Sequence, residues 1–383
     1  MKKYLLRLAV IVMGANLLMG CQNDESSDNF PPGEIIATKG VFVVNNGSSY
    51  QSIDGSLTYF ENTTGNVTDD IYKTVNGKSL GGTPNDVMVY GQKMYIVGSD
   101  ENTIFVLDVR NSKELKQVNT TELMGDAEGH SPRRIAAYGD KVYFTTYGGY
   151  VAAIDTINFT LQQQYQVGSY PEGLTFGATS GSQPKLYVAN SDWSMGNGSI
   201  SCIDLASSSV TEIKNEKVTN PQEIFVSESG TLYVLDYGHY YENYNQQDAG
   251  VYMMNGNNAQ LVVPNATGMS AFGYYILTYN DPWGGSGATY SVYNTQSNTT
   301  TPLTLSGDAK YKLISPCAIR YDQNTGDIYI ASRPLDPDTG YPSYTLPGFV
   351  NIYDSNGEFQ ESFSTGVEPH KIEFYYAPAK IVY

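Results

Sequence analysis

The 383 residues carry 39 Asp and Glu against 22 Lys and Arg, a formal net charge of −17, which rules out the basic stripe that nucleic-acid binding needs. With 38 Gly, 33 Tyr, three His and three Cys, the chain points to turn-rich β structure and offers little for a histidine- or cysteine-based metal centre.

Lys2, Lys3 and Arg7, the apolar run from Leu8 to Met13, and Leu17-Leu18-Met19-Gly20 in front of Cys21 read as a lipoprotein signal peptide over residues 1–20, too short for a permanent span. Leu18-Met19-Gly20-Cys21 matches the lipobox and makes Cys21 the acylated residue. Each acyl chain holds the protein to the bilayer by roughly 0.8 kcal/mol per buried CH₂. Losing Lys2, Lys3 and Arg7 takes the net charge from −17 to −20. The polar, acidic run from Gln22 to Asp28 predicts a flexible tether over 21–39. Residues 40–383 then form one soluble domain.

That domain is repetitive. One element is a proline, an alternating apolar segment, a turn, and an aromatic opening a second apolar run. It starts at Pro84, Pro132, Pro171, Pro221, Pro264, Pro316 and Pro369, with second runs such as Met94-Tyr95-Ile96-Val97 and Leu232-Tyr233-Val234. A second element is an apolar strand closed by a carboxylate or amide: Phe60-Glu61, Leu107-Asp108, Ile154-Asp155, Ile203-Asp204, Met254-Asn255, Tyr293-Asn294 and Tyr353-Asp354. Two elements in seven copies predict an all-β, seven-bladed propeller of four-stranded blades, because a blade cannot bury its faces alone. The chain begins on a second-strand pattern, Val41-Phe42-Val43-Val44-Asn45, so the strand at 369–376 is expected to complete that blade and close the ring. Lys380-Ile381-Val382-Tyr383 has strand character and no assigned partner. Cys202 and Cys317 read as free thiols, and no HExxH, nucleophile elbow or sustained helical period is read.

Loops joining second to third strands share a rim with those leading into the first strands. They are short at 98–102 and 147–149, and long at 190–198, 236–250, 280–287 and 332–348. The long loops carry Trp193 and Trp283 in equivalent positions, with Tyr237, Tyr240, Tyr241, Tyr244 and Arg333. Loop aromatics on a rigid scaffold point to ligand binding. An inner polar ring is expected from Asn85, Asp86, Arg133, Arg134, Glu172, Gln222, Glu223, His370 and Lys371. By rim position, Trp193, Trp283, Tyr237 and Tyr147 are the candidates to cover an apolar ligand surface, and Asn45, Arg134, Asn190, Asp236 and Arg333 to hydrogen-bond its edges.

Tyr187-Val188-Ala189-Asn190 and the proline strand before it resemble the YVTN repeat of propellers, over about residues 40–380. Together with the lipobox and acidic tether, the whole chain resembles the BtuG-type surface lipoproteins of Bacteroidetes. The resemblance implies an outer-membrane, lipid-anchored, cell-surface protein that captures vitamin B12 and other corrinoids and passes them to a BtuB-type TonB-dependent transporter. Cobalamin would then be a transported ligand, with no cofactor, no metal and no catalysis. Two other readings stay open: a surface glycan-binding lipoprotein using the same aromatics, and a hydrolase or lyase with a Ca²⁺ among Asp86, Glu172 and Glu223.

Overall fold

A computed structural model describes residues 36–178, 183–240, 246–281 and 287–378. The signal peptide, Cys21, most of the tether, Trp283, Tyr241, Tyr244 and the strand-like 380–383 lie outside the described residues. Seven four-stranded antiparallel sheets are present among the described residues, each a blade of the propeller. No helix among these residues is long and apolar enough to cross a membrane.

The first strands of blades 2 to 7 are Pro84–Tyr90, Pro132–Tyr138, Pro171–Gly177, Pro221–Val226, Gly268–Phe272 and Ser315–Tyr321. Blade 1 is composite: Ile36–Asn45, Ser56–Glu61 and Asn66–Thr68 come from the beginning of the domain, and Pro369–Pro378 from its end. The join is tight because Ile36–Asn45 pairs with Pro369–Pro378 along nearly its whole length. That strand starts inside the stretch 21–39 read as tether, so the tether reading runs four residues too far.

Apolar alternation explains the ring. Seven hydrophobic clusters each join one blade to the next, and the last joins blade 7 to blade 1. In that closing cluster Phe60 and Phe363 stack with ring centroids 4.5 Å apart and nearly parallel. The innermost strands approach so closely that a Cβ on Gly173 would stand 2.8 Å from the Gln222 carbonyl oxygen, which is why glycine sits there.

The carboxylate and amide endings cap turns. Asp108, Asp155, Asp204, Asn294 and Asp354 each accept backbone N–H groups two to four residues ahead, the Asx geometry that makes these residues recur where a strand must reverse.

The proline element has a different purpose. In blades 2, 3, 4 and 5 the strand pairing slips immediately after the proline, and blades 7 and 1 slip at the same level. A bulge there turns side chains out of the pleat, delivering Asp86, Arg134, Glu223 and Lys371 to the central channel. Blade 6 differs: its first strand begins at Gly268 with no bulge, and Pro264 is the last residue of the outer strand Asn258–Pro264 of blade 5. Pro264 therefore does not open a blade as the sequence suggested, since an outermost strand tolerates a residue without an N–H. Two short helices, Ile71–Asn76 and Thr120–Met124, connect blade 1 to 2 and 2 to 3; each is too short to leave a helical period in the sequence.

Candidate functional site

The loops into blades 3 and 4 and their second-to-third-strand loops meet at one end of the ring. Ser191 N donates to the Tyr170 carbonyl, and Tyr147 N to that of His130, confirming that the two loop sets share a rim. Three aromatic rings converge there. Tyr147 and Tyr170 lie 5.1 Å apart edge to face, Tyr147 and Trp193 5.6 Å, and Tyr170 and Trp193 5.3 Å. Arg133 lies over the Tyr147 ring at 4.6 Å and donates to Glu172, which also accepts the Tyr147 hydroxyl proton. Burial, and then the Glu172 charge, hold the Tyr147 phenol well above its usual range, so it acts as a hydrogen-bond donor.

Trp193 remains 55% exposed, and its backbone is left-handed at φ 50°, as are Asp192 and Ser194 on either side. Tyr170, before Pro171, is also left-handed at φ 50°. For bulky side chains this conformation costs on the order of 1–3 kcal/mol each. The rim therefore presents an indole to solvent at a conformational cost.

A polar channel runs down the middle of the ring, a cavity of about 180 Å³ lined by the innermost strands of all seven blades. Arg133–Glu172 and Arg320–Glu373 are ion pairs, at 3.1 and 3.3 Å. Asp86 points both oxygens at backbone amides, those of Val87 and Ile135. Glu223 accepts from Lys371 at 3.0 Å; burial pushes its pKa up, but Lys371 and Arg134 outweigh that and hold it low. Arg134 Nη1 donates to the Asn85 carbonyl at 2.8 Å and to His370 Nε2 at 3.2 Å. A guanidinium only donates, so His370 Nε2 carries no proton; burial, then Arg134 and Lys371, keep the imidazole neutral.

Across the rim, Arg333 pairs with Glu368, donates to Ser315 Oγ at 2.8 Å and lies over Tyr344 at 4.7 Å. Leu335, Tyr341, Tyr344 and Leu346 are exposed around it, a second apolar edge on blade 7.

Among the sequence candidates, Tyr147 and Trp193 meet on the rim, Arg134 and Tyr237 line the channel, and Arg333 stands on the far side. Asn45, Asn190 and Asp236 do not reach the surface: all three are buried. Asn45 Nδ2 donates to Ser56 Oγ and Thr58 Oγ1, and Asn190 Nδ2 to Ser199 Oγ and Ser201 Oγ. Asp236 accepts from Asn220 N at 2.8 Å and Gly238 N at 2.7 Å. These three hold strand ends together, which corrects their assignment as edge-binding groups. Trp283 lies outside the described residues. Tyr170 was missed; its signal was an aromatic placed directly before the strand-opening proline.

Asp86, Glu172 and Glu223 each face the separate partners above, and no group of three or more His, Cys, Asp or Glu suited to a metal occurs among the described residues. Gly77-Lys78-Ser79-Leu80-Gly81 has the GxSxG spacing, which corrects the expectation that no such pattern is present. It follows a short helix, with Gly77 as its left-handed cap, and leads into a strand, the reverse of the strand-to-helix turn a nucleophile elbow needs.

The profile of DUF5074, a domain of unknown function, matches residues 39–383. No curated protein gives a significant sequence match. Among solved structures, a functionally unknown protein from Desulfotomaculum acetoxidans superposes with a TM-score of 0.58 at 11% identity, covering 88% of this chain and 98% of that one. A candidate 6-phosphogluconolactonase from Bacteroides uniformis gives 0.54 at 13%, covering 88% and 100%. Hydrazine synthase of Kuenenia stuttgartiensis gives 0.53 at 17%, covering 71% and 77%. At these identities the likeness is one of fold.

Proposed function

The chain belongs to the DUF5074 family, and from that premise we propose that it is a lipid-anchored surface protein that binds, without turnover, a flat amphipathic ligand on the rim of blades 3 and 4. The ligand is a corrinoid, as the BtuG-type resemblance implies, handed on to a TonB-dependent outer-membrane transporter of the BtuB type.

One observation carries the binding site: Trp193 is held half in solvent, beside Tyr170, by backbone conformations that bulky residues avoid. Strain of this kind persists where a fold must present a side chain in a set position. A corrin is a broad disc edged with carboxamides, and an exposed indole beside Arg133, Glu172 and the channel mouth suits both its face and its edge. The channel carboxylates already have cationic, hydroxyl or backbone partners, which supports a binder over a hydrolase.

Titration calorimetry with cyanocobalamin tests the proposal. One-to-one binding is expected, weakened at least tenfold in Trp193→Ala, which is about 1.4 kcal/mol; equal affinity in the two proteins removes the rim from the account. The half-exposed Trp193 face equally suits stacking on a sugar ring. A polysaccharide panel titrated alongside therefore decides between the two, and saturable binding to a glycan with none to cyanocobalamin replaces the corrinoid reading.

A further inference from the structure

All three histidines of the chain fall at the end of the ring that carries the aromatic cluster. His370 faces the channel, where its Nε2 accepts from Arg134. His239 lies on the blade 5 side of the Trp193 loop: its ring stands 3.4 Å from where a Cβ on Gly196 would be, and its Nε2 is 3.4 Å from Thr219 Oγ1. His130 lies on the other side, in the loop leading into blade 3, and of the three only His130 is exposed.

The fold sets the tautomer of that exposed ring. Nδ1 stands 2.8 Å from the Ala127 carbonyl oxygen; a carbonyl only accepts, so Nδ1 carries the proton and Nε2 of the neutral ring keeps its lone pair, with no protein partner among the described residues. Metal-ligating histidines are built this way, because the N–H given to a carbonyl orients the ring and raises the basicity of the other nitrogen. The loop itself is pinned. The Gly129 carbonyl accepts from Thr120 Oγ1 at 2.6 Å, that of Glu128 from Thr146 Oγ1, and that of His130 from Tyr147 N at 3.1 Å. It presses so closely on the Tyr147 turn that a Cβ on Gly148 would stand 2.4 Å from the carbonyl oxygens of Ala127 and Glu128. The imidazole therefore sits on a fixed loop bordering Tyr147, whose ring meets Trp193.

We infer that His130 is an axial ligand to the metal of the bound molecule, its Nε2 entering the coordination sphere of the cobalt in a corrinoid whose face rests on Trp193. The inference rests on the corrinoid reading proposed above. One histidine is enough, because the corrin ring itself supplies the in-plane nitrogens. The Co–N bond forms as the Co–O bond to an axial water breaks; the water leaves, cobalt stays trivalent, and no proton moves, since Nε2 is already bare. Cyanide holds the axial position against imidazole, so the site favours corrinoids whose axial ligand exchanges.

The test titrates aquocobalamin and cyanocobalamin separately into the protein, followed by calorimetry and visible absorption. The bands of aquocobalamin should shift to those of an imidazole-ligated cobalt at one equivalent of protein, and those of cyanocobalamin should not. His130→Ala should remove the shift and weaken aquocobalamin at least tenfold more than cyanocobalamin. Binding of both corrinoids without the shift, or a shift that persists in His130→Ala, overturns this inference and leaves the binding rim in place; binding of neither overturns the proposed function with it.

Discussion

Asp236 is the buried carboxylate from which the long loop of blade 5 hangs, since its two oxygens hold Asn220 N and Gly238 N. Burial raises its pKa to about 6, against an ordinary 3.8, with the two backbone donors opposing the rise. A carboxylate that binds its proton more tightly when folded stabilises the protein below about pH 4, and that contribution is lost as pH rises through about 6. The shift corresponds to about 3 kcal/mol. Urea unfolding of native protein and Asp236→Asn between pH 4 and 7.5 should therefore show the native protein losing stability relative to the variant as pH rises. A constant difference across that range would mean that Asp236 does not titrate in this window. The burial of Asp236, Asn45 and Asn190 was not visible as such in the sequence, because strand alternation does not say whether a terminal polar residue faces the rim or a neighbouring strand. For two of them a signal existed: Ser56 and Thr58, and Ser199 and Ser201, are pairs two residues apart, hence on one face of the next strand.

At the level of strands and turns, the repeat was legible where backbone chemistry enforces it. Proline ends ladder pairing and Asx residues close turns, so both elements survive as letters. The exception is instructive: Pro264 carries the right residue and neighbours but lies on an outer strand, while the first strand of blade 6 starts with glycine and has no bulge. Ring closure was legible too, as a missing first strand at the beginning and a surplus one at the end. Its strength rests on the blade 7 to blade 1 seam, where Phe363 stacks on Phe60. Truncating a core phenylalanine costs about 3–5 kcal/mol, so Phe363→Ala should lower the urea unfolding free energy by that amount. A loss under about 1 kcal/mol would show that the seam contributes little and that the paired strands alone hold the ring.

For the molecule as a whole, an acidic chain encloses a channel whose charges are closely matched, cation for carboxylate, and carries exposed Tyr170, Trp193, Tyr341 and Tyr344 on the rim where loops lead into the first strands. The fold followed from periodicity, whereas the site did so only in part. Long loops pointed to the rim on which Tyr147, Tyr170 and Trp193 meet, but the contact of these three depends on two blades meeting, which no single repeat encodes. The central claim is that this rim, at blades 3 and 4, is where ligand binds. Hydrogen–deuterium exchange with and without cyanocobalamin tests it most directly. Binding should slow exchange in 131–134, 147–149, 168–173 and 190–198, and leave the turns at 110–112, 156–160 and 206–208 on the opposite rim unchanged; protection confined to those turns, or none anywhere, would contradict it.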